Sequence, residues 1–422
     1  MKKILLSSAF VCSTLFASMQ ADAAGFHLSE YSTTGLGRAF AGMGVVGDDF
    51  SALGYNPAGM QFNKTSGAQG TLTAVSLHSD YKGDVSFTNT SKSGDGHTRI
   101  TRVLPSFFGQ YKINQDLTFG MGIYTPFGLA TDYDNGWFGE SHAGLSQVSA
   151  TNLSPSVSYQ INKFFSVGAN LNVQYITARL TSTGEMALGG GAGMFFPGMT
   201  NDLRGDDLGL GYSLGVGIKP ADNIRLGVSY RSKVEHKLHG KVKISGSPNP
   251  ALVPNGKSDI NAKITTPEVV LFSGAYDLND KFTFSASARW TRWSQFKDLD
   301  IYRDRDGALI SSTQENWKNT WFYSGGVDYR HTENLTLRLG MAYDETVIKG
   351  QEYRTARIPD GRRIWASVGG SYAYKNWQFD AGYTHIFLHG GRAQGGARGS
   401  SDIDIKYSSN AELLSFTVQY KF

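Results

Sequence analysis

From about residue 65 to the end of the chain, apolar and polar residues alternate in run after run. In the last run Leu414, Phe416, Val418, Tyr420 and Phe422 share one face, and Ser415, Thr417, Gln419 and Lys421 share the other. Leu337, Leu339, Met341 and Tyr343 oppose Thr336, Arg338, Gly340 and Ala342 in the same way, and Phe282, Phe284 and Trp290 oppose Ser285, Ser287 and Arg289. A period of two is the signature of a strand with one apolar and one polar face. Short turn signals separate many of these runs, at Asn114-Gln115-Asp116, Asn162-Lys163, Pro220 to Asn223, Asn279-Asp280, Thr332 to Asn334 and Lys375-Asn376. The connections on the other side are long, as at 181–206 and 233–261. Six short turns join twelve strands, and one further strand at each end makes fourteen. The pattern predicts an all-β chain: a 14-stranded antiparallel transmembrane β-barrel over residues 65–422, with apolar faces on lipid and a polar lumen. Tyr111, Tyr159, Tyr276, Tyr329, Tyr374 and Phe422 lie beside the short turns or at the chain end, where an aromatic girdle belongs.

Residues 24–64 break the alternation. They carry glycines at 35, 37, 42, 44, 47, 54 and 59 and a stiff turn at Asn56-Pro57, and are expected to sit inside the wall. Ahead of them, a basic start, an apolar run from Ile4 to Met19 and the small residues Ala21-Asp22-Ala23 predict a signal peptide over 1–23. Cys12, the only cysteine, falls within it, which excludes disulfides and thiolate metal sites from the mature chain. No later apolar run reaches the length of a membrane helix. A net charge of +4, scattered along 422 residues, does not suggest nucleic acid.

Several stretches, in order, resemble the outer-membrane long-chain fatty acid transporter family and its aromatic-hydrocarbon relatives. They are Ala24-Gly25-Phe26, Gly35-Leu36-Gly37-Arg38-Ala39, Asn56-Pro57-Ala58, Pro126-Phe127-Gly128-Leu129-Ala130-Thr131, Trp293-Ser294-Gln295-Phe296 and Ile358-Pro359-Asp360. The resemblance implies that 24–64 is a hatch filling the lumen, and that the chain is a passive, ligand-gated channel in the bacterial outer membrane. It also implies a non-enzymatic monomer without cofactor, whose partners are hydrophobic small molecules, outer-membrane lipid and lipopolysaccharide.

A fatty acid needs an apolar landing surface, a cation for its carboxylate and an exit. The long loops hold Met186, Leu188, Met194, Phe195, Phe196 and Met199, and then Leu252 and Val253, unusually apolar for loops that face water. In the family the corresponding loops form a groove for the tail; the alternative is a small loop core. Alternation places Trp317, Trp321 and Tyr323 on lipid and turns Lys318 inward, and Lys318 resembles the family's carboxylate-binding lysine. The family's second cation would fall near Ser182. Arg179 shares a face with Tyr175 and is expected to point outward, towards lipopolysaccharide phosphates. Gly120, Gly122, Pro126 and Gly128 should bend the third strand, and the resemblance makes Pro126, Phe127 and Gly128 a lateral opening. Phe26 is expected to reach towards the ligand, with Asn56-Pro57-Ala58 holding the hatch beside the bent strand. Asp300 to Gly307 has calcium-like spacing but lacks the distal glutamate, so no metal is assigned. Two rivals stand: a channel for neutral hydrocarbons, and an adhesin or phage-receptor barrel.

Overall fold

A computed structural model describes residues 25–186, 194–251, 253–395 and 402–422. The predicted signal peptide, Ala24, Leu188 and Leu252 lie outside the described residues. The strands, in chain order, are β1 (Gly67–Ser86), β2 (Ser91–Lys112), β3 (Leu117–Asp132), β4 (Leu145–Gln160), β5 (Phe165–Met186), β6 (Met194–Ala221), β7 (Ile224–Arg231), β8 (Val234–Ser245), β9 (Gly256–Thr266), β10 (Val269–Asp277), β11 (Phe282–Thr291), β12 (Asp298–Arg303), β13 (Leu309–Gln314), β14 (Thr320–Arg330), β15 (Leu335–Asp344), β16 (Arg362–Tyr374), β17 (Trp377–His389), β18 (Arg392–Gly395) and β19 (Asp402–Lys421). Fourteen of them close the wall: β1 to β7, then β10, β11, β14, β15, β16, β17 and β19, which returns to β1 in antiparallel register from Gly67 opposite Lys421 to Ser86 opposite Asp402.

Side chains follow the sequence pattern. Leu414, Phe416 and Val418 are exposed on the outer face, while Ser415, Thr417 and Gln419 are buried in the lumen. The short turns close by one recurring device. Asn114, Asn162 and Asn279 each accept, through Oδ1, hydrogen bonds from the amides two and three residues on, the local pairing that makes asparagine a turn residue.

The long connections differ from expectation. Stretches read as loops are largely strand: β1 and β2 run on to a hairpin at Ser86 and Ser91, and the region after β7 holds β8 and β9. Above the lipid zone neither face must be apolar, so a run such as Ser91 to Arg99 keeps strand geometry without alternation. β8, β9, β12 and β13 pair side by side from β6 outward and raise the wall on that side.

Residues 25–63 lie inside the wall. Ser32 caps the short helix α1 (Thr33–Gly37) through the Gly35 amide, helix α2 (Ala52–Tyr55) follows, and Asn56 caps a 3-10 turn over Pro57–Gln61. Arg38 holds this segment to the barrel. Its guanidinium contacts Asp48 at 2.8 Å and Asp328 of β14 at 3.1 Å, and Arg338 of β15 reaches Asp48 at 3.0 Å. Gly340 makes room for this approach, since a Cβ there would stand 2.1 Å from the Arg38 carbonyl carbon.

Candidate functional site

The third strand is where the wall is least regular. β3 pairs with β2 only from Thr118 to Ile123. Beyond that it stays on β4 through a bulge that leaves Thr125 and Pro126 opposite Thr151, the arrangement by which an extra residue bends a strand. From Tyr124 to Thr131 the strand is buried continuously, so it has turned into the lumen. The bend was legible in Gly120, Gly122 and Pro126. The partner of the freed backbone was not. Leu28 donates its amide to the Pro126 carbonyl at 2.8 Å, and Gly128 donates to the Phe26 carbonyl at 2.7 Å, with His27 opposite Phe127. The start of the inner segment thus supplies the pairing that β2 does not.

Phe26 enters an aromatic chamber beside this bridge. Its ring lies 4.6 Å from that of Trp293, 5.7 Å from Trp317, 6.0 Å from Phe296 and 6.1 Å from Phe127, mostly in the edge-to-face geometry that aromatic quadrupoles favour. Gly25 must be glycine here: its φ is +63°, and a Cβ would stand 2.8 Å from the Trp317 ring. The expectation that Trp317 faces lipid is corrected, because its side chain is 1 % exposed and faces Phe26. β14 begins only at Thr320, and Asn316 has a left-handed φ of 45°, so the alternation that places Trp321 and Tyr323 does not extend back to 317. Lys318 is half-buried beside the chamber. Its amide donates to Val347, a member of the same apolar cluster, and its ammonium makes no ion pair among the described residues.

Polar groups that the sequence did not single out gather at the chamber's upper rim. The Trp317 indole donates to Glu315 at 3.0 Å. Arg357 donates to the Ser146 hydroxyl and the Thr181 carbonyl, each at 3.2 Å, with no carboxylate in hydrogen-bond reach among the described residues. Burial pushes the Glu315 carboxyl up to about 7 and the Arg357 guanidinium down to about 10, outweighing their mutual attraction. Arg357 precedes the Ile358-Pro359-Asp360 motif, the one signal that drew attention to this loop. A small cavity adjoins it, lined by Gly25, Leu129, Ile358 and the Asp360–Arg363 ion pair.

An apolar recess lies on the inner face of the raised wall, lined by Leu180, Leu203, Leu238, Ile260, Ile264 and Ile301. Leu238, Ile264 and Val148 line it and also belong to the cluster around Phe26, so one apolar surface runs from recess to chamber. The loop-tip residues sit apart from it. Phe195 packs on Phe87 at 5.2 Å under the Lys92 ammonium, as a loop core would. Met199 is buried, Phe196 and Val253 are half-buried, and Met186 of β5 stands in register with Met194 of β6. The recess had a signal, the alternation of Val234, Leu238 and Val242 with Lys237, Lys241 and Lys243, hidden within a stretch read as loop.

Asn56-Pro57-Ala58 stands further round the wall than expected. Asn56 Nδ2 donates to Val216 of β6, and Pro57 and Ala58 lie over Gly168 of β5. Leu53 and Met60 face Gly120 and Gly122 of β3 instead, where the missing side chains leave room for them. In the Asp300 to Gly307 loop, Asp300, Asp304 and Asp306 are directed to Tyr302, Asn261 and the Arg303–Arg305 pair respectively, so they do not converge.

Residues 14–422 match the family described as outer membrane protein transport protein (OMPP1/FadL/TodX). Among similar curated proteins, a putative outer membrane protein of Neisseria meningitidis is 28% identical, with 99% of each chain covered. A long-chain fatty acid transport protein of Escherichia coli is 27% identical, covering 92% of this chain and 93% of that one. The crystal structure of a Pseudomonas aeruginosa FadL homologue superposes with a TM-score of 0.87 at 26% identity, covering 94% of this chain and 100% of the other. The Pseudomonas putida toluene transporter TodX, at 18% identity and a TM-score of 0.72 over 95% of this chain and 99% of its own, shares the fold.

Proposed function

Since the chain belongs to this outer-membrane transport family, and so is an outer-membrane transporter of hydrophobic compounds, we propose that its substrates are long-chain fatty acids and that Phe26 is the gate they displace. The observation that carries this reading is the continuous apolar surface from recess to chamber, with the buried Arg357 guanidinium at its rim, out of hydrogen-bond reach of any carboxylate among the described residues, and Lys318 beside the chamber. Such a surface accepts a long tail, and a desolvated cation rewards a carboxylate with a charge-assisted hydrogen bond. A relative that transports long-chain fatty acids supports the same class.

In this mechanism the tail first settles in the recess, which excludes water from Leu203, Leu238 and Ile260. It then slides into the chamber and takes the contacts that Phe26 makes with Trp293, Phe296 and Trp317. The carboxylate stops at Lys318, with Arg357 as the second cation. As Phe26 withdraws, the amide of Leu28 and the carbonyl of Phe26 leave Pro126 and Gly128, and the gap between β2 and β3 opens sideways to lipid. The rest of the inner segment stays as the hatch, and the ligand moves down its own gradient.

The aromatic lining also suits a neutral hydrocarbon, and the cations separate the two readings. Oleate and toluene titrations, followed by quenching of tryptophan emission, should show a loss of about tenfold or more in oleate affinity for Lys318→Ala, the scale of one buried charged hydrogen bond. Toluene binding should be unchanged. Equal oleate binding by Lys318→Ala, Arg357→Ala and wild type, with tight toluene binding, would establish the hydrocarbon reading instead.

A further inference from the structure

The outer face of the raised wall carries a second surface, independent of the transport route. On β6 the lipid-facing column Tyr212, Leu210, Leu208 continues upward into Asp206, Arg204 and Asp202. Leu210 and Leu208 are 67% and 63% exposed. Arg204 lies four residues above Leu208, about 13 Å at strand rise, which is headgroup height over an acyl layer. The neighbouring strands add cations over a span of heights, with Arg179 and Lys241 level with Arg204, Lys243 and Lys257 one step above it, and Lys237 and Lys263 lower, level with Leu208. In register, Arg179 of β5 stands opposite Arg204, Arg204 opposite Lys241, Lys237 opposite Lys263, and Lys243 opposite Lys257.

Like charges directly opposite one another destabilise a sheet, yet four such pairings share one exposed patch. Asp202 bridges Arg179 and Arg204 at 3.0 and 2.9 Å, and Asp259 stands 3.8 Å from Lys241. The ammonium groups of Lys237, Lys243, Lys257 and Lys263 make no ion pair or hydrogen bond among the described residues. The patch has more positive charge than its carboxylates neutralise, and it stands on a greasy column that acyl chains must contact.

We propose that this face binds the phosphorylated glycolipid of the outer leaflet, with the phosphates of lipid A bridging the opposed lysines and its acyl chains lying along Leu208, Leu210 and Tyr212. A free anion explains the lysines but not their continuity with the apolar column; a phosphorylated lipid explains both. The bound lipid would also relieve the like-charge repulsion in the sheet whose inner face forms the apolar recess.

Purified full-length protein, titrated with bisphosphorylated lipid A and read by native mass spectrometry, tests this against a variant carrying Lys237→Ser, Lys243→Ser, Lys257→Ser and Lys263→Ser. All four positions are exposed, and heat-modifiable electrophoretic mobility checks that the barrel has folded. Wild type should retain lipid A at least about tenfold more strongly than the variant, as expected for several surface cations. Dephosphorylated lipid A should bind wild type as weakly as bisphosphorylated lipid A binds the variant, and four Lys→Arg changes should restore retention. Equal retention by the serine variant and wild type, or equal binding of dephosphorylated lipid A, overturns the proposal. So does displacement of lipid A by equimolar inorganic phosphate, which would make the patch a free-anion site.

Discussion

The inner segment is fastened to the barrel in two different ways. Around Arg38, charges interlock: Asp48 lies between Arg38 and Arg338, and Asp328 is shared by the same two guanidiniums at 3.1 and 3.6 Å. Around Phe26 there are two backbone hydrogen bonds to β3 and a set of ring contacts. The first fastening cannot be taken over by an apolar molecule, because any group that left would strand a buried charge. The second can, since a ligand tail offers the chamber the same kind of surface as a phenylalanine ring. On the proposed mechanism the difference divides one segment into a fixed body and a replaceable tip, as a channel that opened without ejecting its hatch would require.

The strongest way to break this contrast is to remove the fixed fastening. Arg38→Ala leaves Asp48 and Asp328 short of a partner, at a cost of about 3–5 kcal/mol for a broken buried pair. The expected result is a leaky barrel, seen as increased conductance in planar bilayers and as protease cleavage between residues 25 and 63. A variant as tight as wild type would show that packing, not charge, holds the body. Next in size is immobilising the tip. His27 and Phe127 face each other as a non-hydrogen-bonded antiparallel pair, a geometry with Cα atoms about 4.5 Å apart that a disulfide spans. With His27→Cys and Phe127→Cys, uptake of labelled oleate into cells should nearly stop on oxidation and recover on reduction. Uptake that survives oxidation would mean that the tip does not gate.

A smaller effect separates recess from loop tips. Leu238→Asp puts a carboxylate into the apolar path, and uptake at low oleate concentration should fall several-fold, the scale of one lost apolar contact plus a buried charge. Phe195→Ser, in the loop core against Phe87, should change uptake much less. The reverse ranking would return the landing surface to the loop tips.

Much of this was readable from residues alone, and the exceptions share a cause. The wall was legible because lipid on one side and a wet lumen on the other force a period of two, and because asparagines such as Asn114 and Asn279 announce their turns. The bend at Pro126 was legible because proline and glycine act locally. Trp317 was misplaced because parity is a property of a continuous strand, and Asn316 interrupts it with a left-handed residue that no periodicity reveals. Arg357 was missed because its partners, Ser146 and Thr181, are distant in sequence, and the recess because β8 and β9 look like loop where lipid no longer demands alternation. What local chemistry dictates could be read; what long-range juxtaposition creates could not.

The finest test concerns the rim of the replaceable tip. Glu315 accepts the Trp317 indole hydrogen bond, and burial raises its carboxyl to about 7. A carboxyl whose pKa is higher in the folded than in the unfolded chain binds more protons when folded, so its contribution to stability falls as pH rises, from about 4.5 to about 7. Across that window the chamber should loosen locally while the charge knot at Arg38 holds. The difference in emission between wild type and Trp317→Phe should titrate with a midpoint near neutrality, and Glu315→Gln should flatten it. A flat profile in wild type would show that Glu315 keeps one protonation state throughout. The rim of the chamber would then be set as rigidly as the body, and the contrast between the two fastenings would rest on Phe26 alone.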